Sequence, residues 1–270
     1  MELFQYDFFI RALIAAILAS VSCGIVGTYI VSRRIVFISG GLSHASFGGI
    51  GIGYFLGLNP IITASIFAVL SALGIEYMSK KISIREDSAI AILWAFGMAI
   101  GIIFIYLTPG YAPNLMSYLF GSILTVSMID IYMMLSLVVI LVIFVSLLFN
   151  PIIYIAFDEE FAKTRKLPVS FVNYTMMVLI ALTIVFNIRV VGIILVISLL
   201  TIPQTIVNIF TNRFLYILIG SIVISLAGVC CGLMASYWLN IPTGAGIIFM
   251  LVIMFLIARV IPIITGRKLQ

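Results

Sequence analysis

The chain contains one histidine, His44, in a glycine-rich apolar stretch that spans residues 38–53. Gly40, His44, Gly48 and Gly51 follow one another at spacings of four, four and three, so on a helix they share one face. A neutral imidazole at the centre of that face can bind a divalent metal ion. A packing histidine at a close helix crossing would show the same pattern. These residues alone leave both interpretations open.

The elements that must position this histidine are membrane helices. Hydrophobic residues make up 64% of the chain and charged residues 9%, whereas soluble domains carry about 25% charged residues. The mean hydropathy is +1.35. Long unbroken apolar runs exclude the alternating polarity of a membrane β-barrel. The sequence therefore predicts an all-α polytopic protein of the lipid bilayer, with residues 1–270 forming a single transmembrane domain.

Nine apolar runs are each long enough to cross a hydrocarbon core of ~30 Å, which takes about 20 helical residues. Eight spans are the alternative, because the second run is rich in glycine and only Asn187, Ile188 and Arg189 separate the sixth from the seventh. The predicted spans are 8–32, 37–58, 60–79, 88–108, 128–150, 169–187, 190–211, 214–237 and 244–264.

The net charge of +5 reports orientation in the membrane rather than a nucleic-acid partner. With nine spans, every basic residue except Arg11 and Arg189 falls on one side, which the positive-inside rule assigns to the cytoplasm. The N-terminus is then outside and the C-terminus inside. Eight spans would break this pattern. The basic residues on the predicted cytoplasmic side are Arg33, Arg34, Lys80, Lys81, Arg85, Lys163, Arg165, Lys166, Arg213, Arg259, Arg267 and Lys268.

The depth of His44 follows from this orientation. Arg34 marks the cytoplasmic surface, and ten further helical residues at ~1.5 Å each place His44 ~15 Å deeper, near the bilayer mid-plane. Transporters hold substrate at this level beside interrupted or glycine-rich helices. Ionisable groups at that depth are usually functional. The estimate favours the interpretation of His44 as a ligand on a transport pathway.

Pro203 interrupts the seventh predicted span and frees the carbonyl four residues earlier, which Thr201, Gln204 or Thr205 could satisfy. The sequence predicts a kink there, either a hinge or a static bend.

Local signals at three span ends predict smaller features. Asp87 or Ser88 is expected to cap the fourth span and Asp130 the fifth, since acidic and hydroxyl side chains stabilise helix N-termini. Residues 117–122 predict a short helix at the outer mouth.

The longest cytoplasmic segment is predicted at about 151–168. In it, Asp158, Glu159 and Glu160 precede the basic residues, an order that suits the dipole of a short helix. Phe161 and Leu167 give this helix an apolar side. An exposed aromatic side chain in a charged loop indicates contact with a partner, and a solvated surface helix is the alternative.

The chain contains no G-x-x-x-x-G-K-[ST] phosphate loop, and no predicted cytoplasmic loop is long enough for a nucleotide-binding domain. We therefore expect the chain not to be an enzyme. If ATP drives transport, another polypeptide must hydrolyse it.

Seven short motifs, in order along nearly the whole chain, resemble the permease subunits of bacterial metal-ion ABC importers of the ABC-3 type, which carry zinc, manganese or iron. Each motif is weak alone, and their common order carries the resemblance. The motifs are residues 23–27, 43–45, 86–87 with 89–90, 117–121, 158–162, 191–196 through 203, and 242–245.

The resemblance implies a type II ABC importer permease in the bacterial cell membrane. It implies a homodimer with the pathway at the two-fold interface, two ATPase subunits below it, and an extracytoplasmic metal-binding protein that delivers the ion. No intrinsic cofactor is expected, because the divalent metal ion is the cargo. The segment that docks on the ATPase would contain the coupling residues Asp158, Glu159, Glu160, Phe161, Ala162 and Leu167.

The resemblance also implies roles around His44. The family pairs the matching histidine with an aspartate one helical turn earlier, where this chain has Gly40, and many relatives have proline at the position of Gly48. A missing carboxylate weakens a site for manganese more than one for zinc, because imidazole suits zinc. Ser39 and Ser43 supply nearby oxygen atoms. Pathway or hinge roles are implied for Gly40, Gly41, Gly48 and Pro203.

The function that we predict from these observations is transmembrane passage of zinc, manganese or ferrous iron. A permease for iron-siderophore or cobalamin cargo is one alternative, although such chains are usually longer. A secondary transporter or channel that needs no ATPase is the other, and an internal inverted repeat would favour it. The short chain and the motif at 43–45 favour the metal ion.

Overall fold

The computed structural model describes residues 7–109, 121 and 126–265, and these residues form helices without any strand. The predicted all-α fold is therefore confirmed. The helices of the described residues are α1 (Asp7–Ser32), α2 (Phe37–Leu56), α3 (Pro60–Lys81), α4 (Glu86–Leu107), α5 (Met128–Leu147), α6 (Phe149–Phe157), α7 (Glu159–Thr164), α8 (Val169–Val191), α9 (Ile193–Asn208), α10 (Phe214–Leu239) and α11 (Thr243–Thr265).

Each of the nine predicted spans coincides with one of the longer helices. Among the described residues, 7 helices are long and apolar enough to cross a membrane by themselves. The two others are α2, which is diluted by glycine, serine and His44, and α9, which has 16 residues. Helices of this kind are tolerated in a bilayer where neighbouring helices surround them.

The break between the sixth and seventh spans was placed wrongly by the sequence pattern. Asn187 continues α8, and its buried amide donates to the Thr183 carbonyl at 2.7 Å and to Ser22 Oγ of α1 at 3.2 Å. The chain turns instead at Gly192, whose φ of 82° and ψ of 161° belong to a region that essentially only glycine occupies. A polar side chain paired inside the bundle was mistaken for a turn signal.

The expected cap is wrong at α4 and shifted at α5. Ser127, not Asp130, is the cap residue of α5, and Asp130 completes a capping box with it. Asp130 is also 3.0 Å from Arg189 at the end of α8. This ion pair neutralises one of the two basic residues on the predicted outer side. At α4 the cap position is Arg85, without a side-chain cap.

The helix that carries His44 is held tightly between two others. Helix α2 packs against α3 and α4, and a methyl group added at Gly51 would lie 2.8 Å from the Cα atom of Gly101. Small residues at such crossings allow backbones to approach closely in a membrane. Of the seven long apolar helices, α1 and α8 are the most buried, whereas α4 and α11 lie at the periphery.

Several sequence-based expectations lie outside the described residues. They are the short helix at 117–122, of which only Gly121 is described, and the basic residues Arg267 and Lys268.

Candidate functional site

His44 lies on a face of α2 that is only partly covered by the bundle. Its imidazole is stacked on the indole of Trp94 in α4, with ring centroids 4.7 Å apart and planes inclined by 2°. Phe47 lies on the same helix with its ring centroid 6.1 Å from the imidazole. Phe37 in turn contacts Trp94 at 5.5 Å. The imidazole is thus positioned by aromatic packing.

One ring nitrogen of His44 has no partner in the helices that hold the ring. Its Nδ1 atom is buried and has no hydrogen-bond partner among the residues that the structure describes. Buried polar atoms are nearly always hydrogen-bonded, and exceptions often mark functional positions. The aromatic packing that holds the ring therefore leaves this nitrogen unpaired within the described residues.

Gly40 lies one turn before His44, and the space beside it is open. A Cβ atom at this position would have Ile197 Cδ1 at 3.9 Å and Trp94 Cζ3 at 4.0 Å as its nearest neighbours. These are ordinary van der Waals distances. A side chain could therefore occupy position 40 and reach the same half-covered face as the imidazole.

Gly41 and Gly48 differ from Gly40 because they lie against neighbouring helices. A Cβ atom at Gly41 would collide with Ile90 of α4, and one at Gly48 would lie 2.7 Å from the ring of Phe67 in α3. Both residues are buried. Their small size is required for packing of α2, and of the three predicted pathway glycines only Gly40 borders open space.

Ser39 and Ser43 lie on the buried side of α2. The Ser39 hydroxyl donates to the Val36 carbonyl at 2.8 Å, and the Ser43 hydroxyl donates to the Ser39 carbonyl at 2.6 Å. Successive residues on a helix point about 100° apart, so neither hydroxyl shares the direction of His44. Among the described residues, no group of three or more His, Cys, Asp or Glu side chains could hold a metal ion.

Trp94 is the site residue that the sequence reasoning missed. It is one of 2 tryptophans in the chain, and nothing in its local spacing connects it with His44. A signal was present in α4 itself, where Trp94, Gly97 and Gly101 share one helical face. The two glycines pack directly on the backbone of α2, which fixes Trp94 on the side of α4 that faces the histidine.

The predicted interruption at Pro203 is compensated by one side chain. Pro203 lies inside α9, and the buried Gln204 amide donates to the Leu199 carbonyl at 3.1 Å and to the Cys23 carbonyl of α1 at 3.0 Å. Leu199 is four residues before the proline, so its carbonyl is the one that the proline leaves without a partner. Thr201 and Thr205 donate to other carbonyls of α9.

The predicted coupling segment contains two short helices, α6 and α7, rather than one. Asp158 separates them and caps α7, since its carboxylate accepts from the Phe161 amide at 2.9 Å. Phe161 is 41% exposed, and its ring lies between Tyr154 and the guanidinium of Arg165. The exposed side chains of α7 also include Glu160. This surface is available to a partner.

Three of the predicted coupling residues face inward instead. Ala162 is fully buried, and Leu167 lies beyond the end of α7 and packs against the core. The Glu159 carboxylate accepts from Lys80 Nζ of α3 and, at 3.3 Å, from Asn173 Nδ2 of α8. These contacts attach α7 to the helix bundle.

Electrostatics keeps Glu159 ionised. Burial alone would raise the pKa of its carboxyl group, but the hydrogen bond and charge of Lys80, with help from Arg33 and Lys163, hold the pKa of Glu159 below its ordinary value. The carboxylate is therefore charged at neutral pH and retains its partners.

Arg33, in the turn between α1 and α2, belongs to a second group of charged side chains, which Asn173 links to Glu159. Its Nη2 atom is 2.7 Å from Glu86 of α4 and 3.3 Å from Glu76 of α3. Burial disfavours the charged guanidinium, yet the neighbouring Tyr29 and the two carboxylates raise the pKa of Arg33 above its ordinary value. A guanidinium with two carboxylates fixes the start of α2 relative to α3 and α4.

Comparisons with known proteins agree over nearly the whole chain. The sequence profile of the ABC 3 transport family matches residues 5–261. An uncharacterized membrane protein of Synechocystis is 41% identical over 256 residues, which are 94% of this chain and 90% of that protein. The manganese transport system membrane protein MntC of Halalkalibacterium halodurans is 31% identical, with 95% of this chain and 88% of that protein covered.

A solved structure, PsaBC from Streptococcus pneumoniae in complex with Fab, superposes with a TM-score of 0.82 at 30% identity. The alignment covers 95% of this chain and 92% of that chain.

Proposed function

The chain belongs to the ABC 3 transport family, and on this premise we propose that it is the membrane permease subunit of an ATP-driven importer of divalent metal ions. The chain is a multi-pass protein of the cell membrane. The observation that carries the proposal is the position of His44, the one histidine of the chain, on a half-covered face of α2 beside the open space at Gly40. The similarity to MntC, which is named for manganese transport, supports it.

We assign the energy source to a separate subunit. The chain has no phosphate loop. In the proposed dimer, Phe161 on α7 of each copy would offer an exposed aromatic contact for one of two ATPase subunits. An extracytoplasmic binding protein would deliver the ion. Two copies of the chain would face each other so that their two His44 side chains line one pathway in the bacterial cell membrane.

The side chains around His44 favour zinc or ferrous iron over manganese as cargo. Manganese prefers hard carboxylate and water ligands, whereas imidazole suits zinc and iron. The open position at Gly40 provides no carboxylate, and the nearest aromatic groups provide no ligand atoms. We assign no ligand role to Ser39 and Ser43, because both are buried and their hydroxyls donate to the Val36 and Ser39 carbonyls. Water and the second His44 would complete the transient coordination.

The test is metal uptake by proteoliposomes that contain the chain with its co-expressed ATPase. We expect uptake that requires ATP, and His44→Ala should reduce it by about 10- to 100-fold, as loss of a metal-site group usually does. Leu56→Ala, at an exposed position near the end of the same helix, is the matched control and should transport normally.

Three outcomes would contradict the proposal. Uptake that proceeds without ATP would indicate a channel or a secondary transporter. Uptake of a ferric chelate but of no free ion would indicate a larger cargo. Normal uptake by correctly inserted His44→Ala protein would make His44 a packing residue.

A further inference from the structure

Six charged side chains, three cations and three carboxylates, form a cluster at the predicted cytoplasmic ends of the helices. One of the cations, Lys163, also pairs with the exposed Glu160 at 2.7 Å. The cluster connects the turn before α2 with α3, α4 and α7. Its members are Arg33, Lys80, Lys163, Glu76, Glu86 and Glu159.

Asn173 of α8 joins the two halves of this charged cluster. Its Nδ2 atom donates to Glu159 at 3.3 Å, while its Oδ1 atom accepts from Arg33 Nη1 at 3.4 Å and from the Tyr29 hydroxyl at 3.3 Å. The residue is 1% exposed. A movement of α7 would therefore disturb the side chain of Asn173, which is also bonded to Arg33 in the turn leading into α2.

One acceptor in the charged cluster is unused. Glu76 is 1% exposed, and its Oε2 atom is bonded to Arg33, but its Oε1 atom has no hydrogen-bond partner within the described part of the chain. A buried carboxylate oxygen without a donor is costly. Lys80 lies one helical turn after Glu76 on α3, at the spacing where Glu and Lys side chains reach each other.

Lys80 is able to change partners. Its side chain is 33% exposed, and in this structure it bonds to Glu159 of α7. A lysine has a flexible stem and a compact charge that can rotate between acceptors. Both acceptors are carboxylates, so either pairing keeps the ammonium group neutralised.

We propose that Lys80 is a two-position coupling residue, which pairs with Glu159 when α7 is docked on the bundle and with Glu76 when the ATPase partner draws α7 away. This inference rests on the proposed function, because it needs a partner that moves α7. Transfer of Lys80 to Glu76 would give Glu76 a second cation beside Arg33. Arg33 lies in the turn just before α2, so the exchange would reach the helix that carries His44.

The exchange of partners predicts that substitution of the two carboxylates changes the rate of ATP hydrolysis in opposite directions. A salt bridge with a purely structural role predicts no such difference. With Glu76→Gln, Lys80 loses its alternative partner and stays on Glu159, so ATP hydrolysis and metal uptake should both fall about tenfold. With Glu159→Gln, Lys80 moves to Glu76 and α7 is released. Basal ATP hydrolysis should then rise while the number of zinc ions transported per ATP falls about tenfold.

The experiment uses the full complex in proteoliposomes, with ATP hydrolysis and zinc uptake measured together. Lys81→Met is the matched control, because Lys81 is an exposed neighbour and should retain both rates. The double variant Lys80→Glu, Glu159→Lys restores the ion pair between positions 80 and 159 with the charges exchanged. The new carboxylate at position 80 would repel Glu76. This variant should fold, as checked by thermal unfolding, and should remain inactive.

Two results would overturn the inference. One is a fall in both ATP hydrolysis and uptake for Glu76→Gln and Glu159→Gln alike, and the other is recovery of transport in the charge-swapped variant. Either result leaves ATP-dependent zinc uptake by the unaltered complex in place. Failure of the proposed function itself would appear differently, as absence of ATP-dependent uptake before any substitution.

Discussion

The imidazole of His44 lies flat against the indole of Trp94, with the ring centroids 4.7 Å apart. Stacking of this kind fixes the plane of the imidazole without using either ring nitrogen. Metal-binding histidines are commonly oriented by a hydrogen bond to the second nitrogen, but Nδ1 of His44 has no such partner among the described residues. The aromatic contact takes over the orienting role.

We expect Trp94→Ala to lower the metal affinity of the site by up to about tenfold, because an aromatic pair contributes about 0.5–1.5 kcal/mol. Trp94→Phe should retain most of the affinity. The measurement is zinc titration of the purified complex. Trp238, which is 79% exposed, provides the control, since Trp238→Phe should bind normally. The Trp238→Phe variant has Trp94 as its single tryptophan, so its fluorescence should change when zinc binds. Unchanged fluorescence would show that Trp94 does not contact the metal site.

We expect Gly40→Asp to improve manganese binding relative to zinc. The position has open space beside it, and a carboxylate one turn before His44 would supply the hard anionic ligand that manganese prefers. Competition between the two metals in uptake assays measures the change. Gly40→Asn has the same shape without the charge and should show no such shift. An unchanged preference between manganese and zinc in Gly40→Asp would mean that position 40 does not face the ion.

We expect Phe161→Asp to abolish transport and the ATP hydrolysis linked to it, while the protein still inserts into the membrane. The ring is partly exposed on α7, so a charge there would disrupt an apolar contact with the ATPase. Phe161→Leu keeps an apolar surface and should retain most activity. Co-purification of the ATPase and uptake assays measure the effect. Normal assembly and transport by the aspartate variant would show that α7 is only a solvated surface helix.

We expect Gln204→Leu to destabilise the protein by about 1–3 kcal/mol, because it leaves the Leu199 carbonyl without a donor and removes a hydrogen bond to the Cys23 carbonyl of α1. Denaturant unfolding in detergent measures the change. Thr205→Val is the control, since its hydroxyl bonds only to a carbonyl of its own helix, and it should cost less than about 0.5 kcal/mol. Equal stability of the two variants would show that water can hydrogen-bond to the Leu199 carbonyl that Pro203 leaves without a donor.

The sequence by itself determined the membrane helices and the most prominent feature of the site. Apolar runs and helix-breaking residues are local properties, and each predicted span corresponds to one helix of the described chain. The spacing of Gly40 and His44 also follows from the helical repeat alone. The carbonyl freed by Pro203 was predictable for the same reason, with Gln204 among its three candidate donors.

Only the tertiary structure decided which residues meet. Trp94 reaches His44 because glycines in α4 pack on the backbone of α2, and no local pattern encodes that pairing. Glu159 resembled a residue for docking a partner, yet Lys80 and Asn173 hold it against the bundle. Asn187 resembled a turn, yet its Nδ2 atom donates to Ser22 of α1 inside the bundle. A polar side chain is exposed or buried according to the partners that packing brings to it, and those partners are distant in the sequence.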